Sequence, residues 1–188
     1  MAKVFEEITD HTRDWVGRQT MFFVGTAPLA EDGHVNVSPK GPIGSLSVLD
    51  ERTVAYLDVI GSGAETIAHV RENGRIVVMF CAFEGPPRIV RFHGSGTVLR
   101  WDEPGFDEAA EGFAHLSIDA ARRALVTVDV TRVSDSCGYG VPLMAFEGVR
   151  SHHALSASKR VRTMGEDGYD RYKQTKNTVS LDGLPAVD

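Results

Sequence analysis

Asn36-Val37-Ser38-Pro39-Lys40-Gly41 places polar groups and a lysine at the end of a short strand, next to two helix-breaking residues. Held outward there, Lys40 is a point charge for an anion, although a simply solvated lysine fits the same pattern. Gly61-Ser62-Gly63 opens a helix, whose amino terminus offers free N–H groups and a partial positive charge, so phosphate is its natural guest. Ser62 as an N-cap, with Glu65 completing a capping box, accounts equally for those residues. The spacing is neither a Walker loop nor a dinucleotide fingerprint. Arg88 and Arg91, three apart in a strand, point to opposite faces, so at most one lines a given pocket.

Other chemistries find little support. His11, His34, His69, His93 and His115 stand singly, His152 and His153 are adjacent, and no HExxH spacing occurs, so no metal site is expected. There is no GxSxG elbow for serine hydrolysis. Cys81 lies in an apolar run and reads as core, whereas Cys137, in a loop rich in Gly and Ser, reads as structural or as a reactive thiol.

These residues need a frame. Apolar positions Phe5, Ile8, Trp15 and Val16 recur at helical spacing between Val4 and Gln19. Residues 21–26 and 34–39, separated by Glu31-Asp32-Gly33, form a predicted hairpin; 45–48 and 53–58 form a second antiparallel pair, as if a meander were growing. A helix over Ala64–Asn73 follows, with Gly74 at its C-cap. Arg75–Phe83 is almost continuously apolar and predicts a central strand buried on both faces, ended by Pro86-Pro87. Strand character resumes at Arg88–His93, and Gly94-Ser95-Gly96 marks a bend or bulge that turns a barrel corner. Residues 103–123 read as helical, 124–133 alternate as a long strand, 158–176 are amphipathic, and Ser180–Pro185 reads as an extended tail. Six or seven antiparallel strands with inserted helices predict a mainly β barrel with α additions.

The 188 residues make one domain, with a core over about 20–135 flanked by an N-terminal helix and a C-terminal helical segment plus tail. At 42% hydrophobic and 24% charged residues, the chain can bury a sizeable core, which excludes disorder as the main state. A net charge of −6 argues against nucleic acid as a partner. No segment suits a membrane span or a signal peptide, and two cysteines are too few for a disulfide scaffold, so the expected location is cytoplasmic.

The ordered set Asn36–Gly41, Ala55-Tyr56-Leu57-Asp58, Gly61–Thr66, Arg75–Phe80 and Pro87–Gly94 resembles the pyridoxamine 5'-phosphate oxidase-like flavoproteins across residues 20–135. Ser136-Cys137-Gly138-Tyr139-Gly140-Val141-Pro142 and the tail 176–185 resemble an uncharacterised bacterial subgroup of that family. The resemblance implies a split β-barrel homodimer with FMN in a cleft at the subunit interface. It sets Val35, Asn36, Val37 and Ser38 along the flavin ring and ribityl chain, and Lys40 at the phosphate or ring edge. It puts Tyr56 and Leu57 on the next strand and Ser62, Gly63 and Thr66 near the phosphate. Where the family's vitamin-metabolising oxidases carry an arginine-lysine pair at the helix start, this chain has Glu65-Thr66, which leaves the phosphate to Lys40, Thr66, backbone N–H groups and Arg88. Their carboxy-terminal arginine-histidine pair is also not visible, which points away from pyridoxamine phosphate as substrate. The implied function is that of an FMN-dependent oxidoreductase acting on a small organic molecule. The alternative is a protein that binds flavin, deazaflavin or haem without turnover.

Overall fold

The computed structural model describes residues 3–116 and 118–187; Met1, Ala2, Ser117 and Asp188, which fall within stretches read above, lie outside the described residues. The chain runs β1 (Lys3–Phe5), α1 (Asp10–Val16), β2 (Phe22–Thr26), β3 (Asn36–Lys40), β4 (Leu46–Val48), β5 (Thr53–Val59) and α2 (Glu65–Asn73). It continues through β6 (Arg75–Cys81), β7 (Ile89–Arg100), α3 (Phe106–Ala109), two 3-10 turns, β8 (Arg122–Ser136), α4 (His152–Met164) and α5 (Glu166–Lys176).

One antiparallel sheet holds the strands in the order β3-β2-β6-β7-β8-β5-β4, and β1 pairs with the far end of β8. Both predicted hairpins form, but the meander does not continue from them. Instead β2 pairs with β6 and β5 with β8, so the hairpins flank a central β6-β7-β8 meander from opposite sides. The sheet curls at the predicted bulge, where register shifts between His93 and Gly94. A Cβ on Gly94 would lie 2.0 Å from the Asp129 carbonyl oxygen, so this crossing requires glycine. The curl brings Phe22 of β2 against Tyr56 of β5, ring centroids 5.4 Å apart, although three strands separate them in the sheet. Phe80 and Phe92 extend this aromatic row, and Val24, Val54, Val78, Val90, Val126 and Val128 fill the remaining interior. The result is the expected mainly β split barrel with added helices.

Several local expectations are corrected. Val4 and Phe5 belong to β1 rather than to a helix, which starts only after Thr9, whose side chain accepts the Thr12 N–H as N-cap. The strand wins because the long β8 outruns β5 and leaves an edge that β1 covers. β6 is fully buried on its barrel side only; Val77 and Met79 are half-buried outside. The stretch 103–123 holds the short α3 and 3-10 turns, with Gly105 at φ 86°, and its last two residues already begin β8. The amphipathic segment begins at His152 and is broken into α4 and α5 by Gly165 at φ 74°. The tail is not extended: Val179 bridges Pro185 around a loop, and Ala186 and Val187 are buried against Ala64, Ile67, Ala68 and Ala124.

Candidate functional site

β3 is an edge strand, and its alternation splits the predicted residues between two faces. Val35 and Val37 are 73% and 65% exposed. Asn36, Ser38 and Lys40 turn inward. Asn36 Nδ2 donates to Thr26 Oγ1 at 3.1 Å and Thr66 Oγ1 at 3.0 Å, and Ser38 Oγ donates to Asn36 Oδ1 at 2.8 Å. Thr26 Oγ1 also hydrogen-bonds with His69 Nδ1 at 3.0 Å. The structure thus joins Asn36, Ser38 and Thr66 in one polar seam between β3, β2 and α2. His69 is wholly buried, its Nε2 has no partner, and burial pushes its pKa down, so the ring is neutral near pH 7.

Lys40 belongs to a second network. Its Nζ lies 2.7 Å from Asp58 Oδ1, while Arg123 Nη2 lies 2.7 Å from Asp58 Oδ2 and Arg123 Nε donates to the same oxygen at 2.8 Å. Arg123 Nη1 donates to the Gly63 carbonyl at 2.8 Å and to Asn177 Oδ1 at 3.0 Å. Burial pushes the Asp58 carboxyl up, but the charges of Arg123 and Lys40 and their hydrogen bonds outweigh it and hold the group below the usual carboxylate range. Two cations and one carboxylate leave the triad with one net positive charge. It closes the barrel where β3 and β5 face each other without backbone pairing.

Tyr56 and Leu57 are both core residues: Tyr56 points into the barrel and Leu57 into a second cluster with Phe106, Phe113 and Leu125. The Tyr56 hydroxyl is buried without a partner, and Lys40 Nζ stands 5.9 Å from its ring centroid.

The start of α2 differs from the phosphate cradle the sequence suggested. Ala64, not Ser62, is its N-cap, and it makes no side-chain cap bond. The Glu65 carboxylate folds back over Gly63 and accepts the Leu181 N–H at 3.3 Å. Nearby, Asp182 accepts the His34 N–H at 2.8 Å and pairs with His34 Nδ1 at 2.6 Å. Two carboxylates therefore attend this helix start and its tail loop. Ser62 is exposed and faces α4 and α5.

Arg88 stands apart from Lys40 and Thr66. Its Nη2 pairs with Asp135 at 2.8 Å, and its guanidinium lies 4.7 Å from the Trp15 ring centroid.

An open, mainly apolar cleft of about 570 Å³ begins at Gly41 and Pro42, next in chain to Lys40. Ile43, Val59, Leu116 and Ile118 form its floor, and Phe146–Ala154 form its far wall. Sequence reasoning missed this wall, and it missed Asp58 as the partner of Lys40 and Arg123 as the second partner of Asp58; the available signal was the single charge, Asp58, in the otherwise apolar β5, while Arg123 is one of several charges in β8. Among the described residues no cluster of three or more His, Cys, Asp or Glu could hold a metal ion, and Cys81 and Cys137 are both free. No described helix is long and apolar enough to cross a membrane.

The comparisons with known proteins agree with this architecture. A family model described as Pyridoxamine 5'-phosphate oxidase matches residues 8–137. The Pyridoxamine 5'-phosphate oxidase family protein ustO of Aspergillus flavus is 40% identical over 197 residues, covering 100% of this chain and 78% of its own length. Among solved structures, HupZ of Group A Streptococcus is similar at 25% identity with TM-score 0.54, covering 67% of this chain and 91% of HupZ. A single-site variant of HupZ matches at 24% identity with TM-score 0.56, covering 69% and 99%. The chain belongs to the pyridoxamine 5'-phosphate oxidase family.

Proposed function

We propose that this chain binds FMN and uses it as an oxidoreductase acting on a small organic substrate, as a homodimer with the cofactor at the subunit interface. The observation that carries the reading is the apolar cleft beginning beside Lys40, within a triad of net positive charge. The residues fit a flavin: apolar walls suit a planar ring, and Asn36 and Ser38, half-buried on β3 with Lys40, carry hydrogen-bonding groups on the same strand. The cofactor supplies the hydride or electron chemistry when bound. The chain's part is to orient it and exclude water, and the surplus charge at Lys40 and Arg123 favours a group that becomes anionic on reduction. Val35 and Val37, exposed on the outer face of β3, are apolar surface that a second copy would cover.

One observation favours the second reading, a protein that binds flavin, deazaflavin or haem without turnover. The start of α2 presents Glu65 rather than a cation, so a phosphate gains no charge pairing there. Titration of the chromophore-free protein with FMN, followed by flavin fluorescence, tests binding. Lys40→Ala weakens it by about 1–3 kcal/mol, the scale of one charge-assisted contact. Unchanged affinity refutes the role of Lys40. Reduction by a nicotinamide donor faster than for free FMN supports turnover; no acceleration with any donor leaves the binding reading.

A further inference from the structure

A groove runs along α1. Two cavities of about 530 and 550 Å³ share Trp15, Arg18 and Pro86, so they form one depression, and the second also shares Thr20, Met21 and Phe146 with the apolar cleft. The end away from the cleft carries Lys3, Arg18 and Arg88 against a single carboxylate, Asp135. Arg88 donates to Asp135 Oδ2 from Nε at 3.1 Å and from Nη2 at 2.8 Å, which neutralises both groups. Among the described residues neither Lys3 nor Arg18 makes an ion pair, so this end keeps a surplus of positive charge in a chain of net charge −6.

The other end is apolar. Trp15, Met21, Phe83, Met144 and Phe146 wall it, and Met144 and Phe146 are 53% and 50% exposed. Its one carboxylate, Glu84, accepts the Phe146 N–H at 3.3 Å, and the Met144 N–H donates to the Phe83 carbonyl at 2.9 Å, so the segment after β8 is pinned to the β6–β7 loop as a wall. Exposed apolar side chains gathered in a concave wall mark a binding surface, since covering them removes apolar area from water. The unbranched Met21 and Met144 adapt to the shape of what lies against them. Met144 and Phe146 fall outside residues 8–137, so this wall is not part of the family match.

We propose that this groove binds an amphiphilic carboxylate, an apolar chain or ring bearing one carboxylate group, with Arg18 as its counter-charge. Among the described residues Arg18 is the one charged side chain that lines both cavities, which puts a cation where the apolar wall meets the basic end. The planar fork of arginine matches a carboxylate through two parallel N–H···O bonds. Glu84, on the same wall, repels a dianion more than a monoanion, which favours a carboxylate over a phosphate monoester. Because Met21 and Phe146 also line the apolar cleft, a ligand seated here lies next to the proposed flavin site, but its binding does not rest on that reading.

Calorimetric titration of the chromophore-free protein with octanoate, and with 1-octanol as the uncharged control, tests the site. Octanoate should bind saturably, in the millimolar range or tighter, and more tightly than octanol. Arg18→Gln should weaken octanoate about fivefold, the scale of one exposed ion pair, and leave octanol unchanged. Met144→Asp, on the groove but not the cleft, should weaken both ligands, whereas Ile43→Asp, on the cleft but not the groove, should weaken neither. Arg18, Met144 and Ile43 are all exposed, so the fold tolerates each change. These outcomes are the same whether or not FMN binds, so failure of the flavin reading leaves them standing. No saturable binding of octanoate, equal affinity for octanol, indifference to Arg18→Gln, or a loss in Ile43→Asp rather than in Met144→Asp overturns the proposal.

Discussion

Asp58→Asn is the substitution whose consequence the structure defines most sharply. Asp58 is 1% exposed and takes contacts of 2.7 Å from both Lys40 and Arg123. Asparagine keeps the shape but removes the only negative charge between two cations, and its amide nitrogen must then face a cationic donor. Removing one partner of a buried pair costs about 3–5 kcal/mol, since it leaves uncompensated charge in the interior. For a domain of this size each kcal/mol shifts the melting temperature by about 2–4 °C, so a fall of roughly 6–20 °C is expected. Lys40→Met added to Asp58→Asn restores part of the loss by removing one of the stranded charges. The sign with pH follows from the depressed pKa of Asp58. Its stabilisation is present above the unfolded-state value, about pH 4, and is lost as pH falls through the lower folded value. The gap between wild type and Asp58→Asn therefore narrows in acid. Thermal unfolding followed by circular dichroism at neutral and acidic pH reads both effects. A melting temperature unchanged by Asp58→Asn at pH 7 would refute the triad as a structural clamp.

Two further outcomes follow from the fold. The His34–Asp182 pair raises the His34 pKa through the hydrogen bond and charge of Asp182, so its hold on the tail loop is complete below the ordinary histidine value near 6.5 and fades as pH rises through the folded value. Proteolytic cleavage within residues 180–184, taken relative to His34→Gln at each pH, should be slow below the ordinary histidine value and approach the variant's rate as pH rises through the raised folded value; a constant ratio contradicts the latch. Gly94→Ala drives a methyl group into the Asp129 carbonyl at 2.0 Å, so a loss at or above the upper end of about 1–3 kcal/mol is expected in thermal unfolding. A wild-type melting temperature would show that the bulge needs no glycine.

Much of the barrel was legible because its information is local. Period-two alternation marked β2, β4, β5 and β8, Gly74 marked the end of α2, and Gly94-Ser95-Gly96 marked the bulge. The failures were non-local or glycine-driven. β1 exists because β8 offers an edge at Val133–Asp135, which no spacing among residues 3–5 reveals. Helical composition over 103–123 and 158–176 concealed backbone breaks at Gly105 and Gly165. At the site, the setting of Lys40 drew attention to it but suggested an outward point charge, whereas it turns inward to Asp58; Asp58 and Arg123 are 18 and 65 residues away from their partners and meet only when the sheet curls. The tail was misread because its anchors, His34 and Glu65, lie more than a hundred residues upstream.

The central claim, that this barrel is a flavoprotein, is met most directly by the protein itself. Purified from cells without added cofactor, it should carry a flavin absorption spectrum and release a chromophore with the mass of FMN. A colourless protein that takes up no FMN on titration, or one that releases haem or a deazaflavin instead, contradicts the claim.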